Sequence, residues 1–145
     1  MPSSRSSGIL KRMPFDFPRA GTRRRQLPHE FVIDALAALE PVTRAMFGCI
    51  AVYTGPKIVL ALREKPDGKA DNGVWLATTE EHHESLRLEF PHMRSIQVFG
   101  KPITGWQILP SDAPDFEESA LRACELIRSR DPRIGKIPKP RRRTV

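Results

Sequence analysis

Residues 45–55 read Ala45-Met46-Phe47-Gly48-Cys49-Ile50-Ala51-Val52-Tyr53-Thr54-Gly55. One of only two cysteines stands beside a glycine at the start of a β-rich run. That pattern fits either a reactive thiol on a glycine loop or the entry to a strand. The stretch after it favours the strand. Residues 44–53 and 57–63 are both rich in β-branched and apolar residues, and Thr54-Gly55-Pro56 between them is a tight-turn signal. The two runs form a hairpin, and Gly48 serves backbone geometry or close packing at its entry.

The pattern continues outward from this hairpin. Before it, Pro28 suits a first helical turn, and Val32, Ala35, Leu36 and Leu39 repeat at i, i+3, i+4, i+7 until Pro41. After it, a loop carrying Pro66-Asp67-Gly68 and Asp71-Asn72-Gly73 leads to a short strand at 74–77. Thr78 with Glu81 three residues later reads as a capping box opening a helix to about Glu89, closed by Pro91. Residues 95–99 and 106–109 make a second hairpin. The last helix begins at Asp112 or Ala113 and buries Phe116, Ala120, Ala123, Cys124 and Ile127. The expected order is αβββαββα: a two-layer α+β domain with a largely antiparallel sheet and helices packed on one face.

Charge divides the chain into three. Residues 1–25 hold seven Lys/Arg against Asp16, a net +6. Residues 130–145 hold seven against Asp131, again +6, so the body at 26–129 is at −5 within a whole-chain +7. The expectation is an acidic folded body at 26–129 between two basic, poorly ordered arms at 1–25 and 130–145. No apolar run approaches the roughly 18 residues of a membrane span, and no hydrophobic segment follows the N-terminal basic residues. The chain therefore reads as cytoplasmic.

The body resembles the N-terminal domain of the TfoX/Sxy family, bacterial proteins named for a regulator of natural competence. Arg44-Ala45-Met46-Phe47-Gly48 is similar to the family's R-x-MFGG entry. Residues 50–53, the turn at Gly55, the strands at 57–62 and 74–77, and Leu109-Pro110-Ser111-Asp112 before the last helix also correspond. The resemblance covers 27–129. Cys49 replaces the second glycine of the motif, and the chain does not carry the second, helical domain of the full competence regulators. The resemblance implies a domain with a regulatory association and brings no catalytic residues with it.

The residues themselves offer little chemistry. Cys49 lies among Met46, Phe47, Ile50 and Val52, and Cys124 falls on the apolar stripe of a helix; both read as packing thiols. His82 and His83 are adjacent, about 100° apart on a helix, and Arg87 occupies the i+4 position from His83, so no metal-ligand spacing arises. Neither GxGxxG nor GxxxxGK[ST] occurs. No catalytic residue, metal or cofactor is expected. Arg23, Arg24, Arg25, Lys139, Arg141, Arg142 and Arg143 are candidates for weak, sequence-independent contact with nucleic-acid phosphates. Ile58, Leu60 and Leu62 alternate with Val59 and Ala61, and both sets are apolar, as they are in residues 49–53. A second apolar face needs a cover: a neighbouring subunit, a returning arm or a partner protein. Ala51, Tyr53, Val59 and Ala61 are the expected dimer or partner face. The reading is a non-enzymatic domain acting through protein contacts with an unknown partner, or else a nucleic-acid-associated protein.

Overall fold

A computed structural model describes residues 27–66, 71–98, 100 and 104–138. The fold is α+β. In chain order it comprises α1 (Glu30–Ala35), a 3-10 turn Ala37–Leu39, β1 (Val42–Met46), β2 (Cys49–Thr54), β3 (Lys57–Arg63) and β4 (Gly73–Ala77). After these come a 3-10 turn Glu80–His82, α2 (His83–Glu89), β5 (Arg94–Ser95), β6 (Trp106–Pro110) and α3 (Phe116–Arg128). The six strands form one antiparallel sheet in the order β1-β2-β3-β4-β6-β5.

The sheet has one more strand than the sequence pattern implies. The run 44–53 is divided at Phe47-Gly48, where the chain reverses. Phe47 has φ 48 and Gly48 φ 77, and the flanking Met46 and Cys49 pair. Two consecutive positive φ values in a two-residue loop are the signature of a type I′ hairpin. Glycine takes such a conformation freely; phenylalanine does so at a cost of about 1–2 kcal/mol. Gly48 is thus a turn residue, and the strand begins after it. The expected capping box is also absent: the helix opens as a 3-10 turn after Thr79, and the Thr78 hydroxyl caps nothing.

A second irregularity decides which residues face the helices. Val52 pairs with Leu60 but Tyr53 pairs with Ile58, so Val59 is an extra residue, a β-bulge. Strict alternation therefore fails within β3. Val59, Leu60 and Leu62 all enter the core beneath the helices, with Val52, Val74, Leu76 and Leu109. Val32 and Leu36 from the N-terminal helical segment, Leu86 and Phe90 at α2, and Ala120, Ala123, Cys124 and Ile127 of α3 complete that core. Ile58 and Ala61 point to the other face.

That other face is covered by the chain itself. Trp75 is fully buried among Cys49, Ala61, Ile96 and Ile108, and its indole meets Trp106 edge-to-face at 5.8 Å between centroids. The cover is held by Asp71, a carboxylate 1% exposed. It accepts hydrogen bonds from the Gln97 and Val98 backbone N–H groups, both at 2.8 Å, and from Arg94 Nη1 at 3.1 Å. The Asp71 carbonyl accepts from Trp75 Nε1 at 2.9 Å. The expected dimer face is corrected accordingly. Ala51, Val59 and Ala61 are buried within the chain, Val59 on the helix side, and of the four only Tyr53 reaches the surface.

The folded body also runs past the boundary expected at 129. Ile134 is buried in the helix-side core. Gly135 N–H donates to Ala77 O, and Lys136 and Ile58 exchange two backbone bonds of 2.9 Å. Arg133 joins Asp131, Ser85 and Glu89, and Glu89 also pairs with Arg122 of α3. Residues 131–138 are a strap that seats Ile134 beneath the helices and then pairs with β3 beyond the end of β4. A chain stopped after Ser129 should lose the cooperative thermal transition shown by a chain stopped after Pro138. Ile134→Ala in the full chain should cost about 2–4 kcal/mol in denaturant unfolding.

Candidate functional site

The two thiols are held away from the reactive form. Cys49 is buried at the foot of the Phe47-Gly48 turn, its Sγ 3.8 Å from Phe47 O. Burial pushes its pKa up, and the hydrogen bond and charge of Arg63 and the charge of Lys65 offset that only in part. Cys124 packs against α1, its Sγ 3.8 Å from Val32 O, and burial pushes its pKa up to about 11. Both cations stand near the hairpin turn: a Cβ on Gly48 would stand 3.2 Å from Lys65 Cε and 3.8 Å from Arg63 Nη1.

The histidines diverge as helical geometry requires. His82 is half-exposed and lies 3.2 Å from the Glu81 carboxylate. His83 turns inward, 5% exposed, and its Nε2 is buried without a partner among the described residues. Burial lowers its pKa; contact with the Gly105 backbone and the Glu80 charge oppose this, while Arg87 and His82 add to it. Gln107 is also fully buried: its amide donates to Ser95 Oγ at 2.7 Å and Thr104 O at 3.0 Å, and its Oε1 has no partner among the described residues. Among the described residues, no group of three or more His, Cys, Asp or Glu side chains is placed to share a metal ion.

Two concavities flank the strap. The larger, about 350 Å³, lies between the β2–β3 turn and the end of α3, lined by Leu39, Pro56, Ile127 and Ile137 with Lys57 and Arg130 among its walls. The smaller, about 250 Å³, lies on the second face of the sheet. Its floor is Ile58 and Ala77, its sides Met46, Tyr53 and Trp106. Thr78, Gly105, Lys136 and Pro138 close the end where the strap pairs with β3. Arg44 stacks on Tyr53 at 5.5 Å beside it.

Among the described residues, the hairpin β1–β2 leaves one long edge of the sheet unpaired. β1 is terminal in the sheet and five residues long, whereas β5 at the opposite edge has two. In a two-residue hairpin the closing pair, here Met46 and Cys49, exchanges both backbone bonds, so pairing alternates back along β1. The N–H and C=O groups of Thr43 and Ala45 therefore point away from β2. Val42 and Phe47, at the two ends of this edge, are 54% and 69% exposed.

The basic residues expected to contact phosphates, Arg23, Arg24, Arg25, Lys139, Arg141, Arg142 and Arg143, lie outside the described residues. Sequence reasoning missed Asp71, which it left in a loop, and Lys136, which it left in an arm. One signal for the strap was present: Ile134 and Ile137 flank Gly135-Lys136 within an otherwise charged tail. No helix of the described residues is long and apolar enough to cross a membrane. No family model, curated protein or solved structure matches this chain.

Both thiols should label slowly with a thiol reagent at pH 8 in the native protein and rapidly in denaturant; fast native labelling of Cys49 would return it to the list of nucleophiles. His83 gives a pH dependence of defined sign. Its folded pKa lies below the free value of 6.5, so the unfolded chain binds the proton first as pH falls. Its contribution is complete above about pH 7.5 and is lost on descending through 6.5 to the depressed folded pKa. His83→Gln should flatten that part of the stability profile measured by urea unfolding between pH 5 and 8.

Proposed function

We propose that this protein is a non-enzymatic contact module of the TfoX N-terminal type, which captures an extended acidic segment of a partner protein along β1. The observation that carries the reading is the open edge, framed by exposed Val42 and Phe47. A long edge with outward N–H and C=O groups is a template for strand addition. Arg44 projects from its middle, on the second face above Tyr53, and Lys65 lies near the Phe47-Gly48 turn. These cations favour acidic side chains on the added strand. They also oppose a second copy, since a two-fold pairing centred on β1 would bring Arg44 opposite itself.

Phe47 supports the same reading. Its φ of 48 costs backbone strain, and it sets a 69% exposed aromatic side chain at the tip of the edge, where an added strand would pass. The raised pKa values of Cys49 and Cys124 support a non-nucleophilic role for both thiols.

The test is selection of binders from a displayed library of random decapeptides. Selected peptides should be acidic and strand-forming. Ala45→Pro removes an outward N–H without breaking the β1–β2 ladder, and it should leave the circular dichroism unchanged while lowering affinity at least about ten-fold. Phe47→Asn should stabilise the fold by about 0.5–1 kcal/mol and weaken peptide binding. Binding indifferent to Ala45→Pro, or a pool with no acidic bias, would overturn the reading. Salt-sensitive binding of random duplex by the intact chain, with no peptide selected, would replace it with the nucleic-acid alternative.

A further inference from the structure

The cavity on the second face adjoins the edge at Met46 and Tyr53 but has a different character. Its walls are the side chains of Met46, Tyr53 and Trp106, and its floor is Ile58 and Ala77. Flat aromatic walls over an aliphatic floor suit a planar apolar body. At about 250 Å³ it falls below the roughly 300 Å³ at which drug-sized pockets begin, so its ligand is small.

The strap end supplies polarity of one sign. Lys136 is exposed, lines the cavity and forms no ion pair among the described residues. Its position is set by the backbone rather than by its side chain, through the paired bonds to Ile58. Thr78 also lines the cavity, is 2% exposed, and its hydroxyl has no partner among the described residues. Gly105 keeps this end tight: a Cβ there would stand 2.8 Å from Thr78 O, with Lys136 Nζ 3.9 Å away. Lys136 therefore sets an ammonium at one end of an apolar slot, where it can meet an anionic group.

We infer that the second-face cavity binds a small planar aromatic carboxylate, its ring between Trp106, Tyr53 and Met46 and its carboxylate on Lys136 Nζ. The strap is then a binding element as well as a structural one. The ammonium supplies charge, and the aromatic walls supply most of the contact area. A neutral ligand of the same shape keeps only the last of these.

The experiment uses the full chain and two probes of one shape, 2-naphthoate and 2-naphthamide, titrated by amide-detected NMR. Naphthoate should move the Thr78, Gly105 and Lys136 amides and the Trp106 indole N–H, and bind about three-fold or more tighter than naphthamide at low salt. Lys136→Met, whose side chain supports no part of the core, should abolish that preference while leaving naphthamide affinity unchanged. Ala45→Pro should leave both probes unaffected, which separates this site from the strand edge. Equal affinity for the two probes, a preference that survives Lys136→Met, or shifts confined to other residues would overturn the inference.

Discussion

The Asp71 carboxylate is the interaction on which the second half of this fold depends. A sheet that is apolar on both faces must be covered on both, and helices are available for only one. Burial of an ionised group is costly unless its lone pairs are met, and Asp71 meets them with two backbone N–H groups and Arg94. Those bonds fix residues 94–98, which bring Ile96 down onto Trp75. The Asp71 carbonyl in turn satisfies the Trp75 indole N–H, so one residue orients both the cover and the largest side chain beneath it. Leaving either partner unmet would strand a buried polar group at a cost of about 1–3 kcal/mol.

The strap completes what the Asp71 loop begins. Ile134 contributes to the helix-side core, and two residues later Lys136 pairs with Ile58 and lines the second-face cavity. The pairing is possible because β4 ends at Ala77 while β3 extends to Lys57, which leaves Ile58 backbone groups free for Lys136. Arg133 anchors the strap to α2 through Glu89, whose carboxyl is held below its ordinary range by Arg122 and Arg133. Such half-exposed pairs add modest stability singly, and here they share partners in a network. The cavity exists because the strap passes over the sheet end without filling it.

The proposed functions follow from what these covers leave exposed. Among the described residues nothing pairs with the outer side of β1, a five-residue edge that ends in an exposed Phe47 at φ 48. Proteins normally blunt such edges, and the opposite one is blunted here by its two-residue length. Arg44 is the device on β1 that discourages self-pairing, and the same charge selects the sign of a partner strand. Edge and cavity share the Met46–Tyr53 region and are otherwise independent.

The sequence by itself determined the α+β class, the antiparallel hairpins, the helices at α1, α2 and α3, and the packing role of both thiols, because hydrophobic period and turn residues are local properties. It was also legible from alternation that the second face is apolar. Only the tertiary structure decided what covers that face. Phe47-Gly48 looks like strand because a phenylalanine at positive φ contradicts local preference, and the Val59 bulge breaks period two without changing composition. The strap was hidden because seven positive charges in 130–145 outweigh two isoleucines in any compositional reading, although burial of Ile134 needs only one partner surface. Asp71 and Lys136 took their roles from contacts 26 and 78 residues away in sequence, to Gln97 and Ile58. No local pattern encodes such distances; the closing of the sheet does.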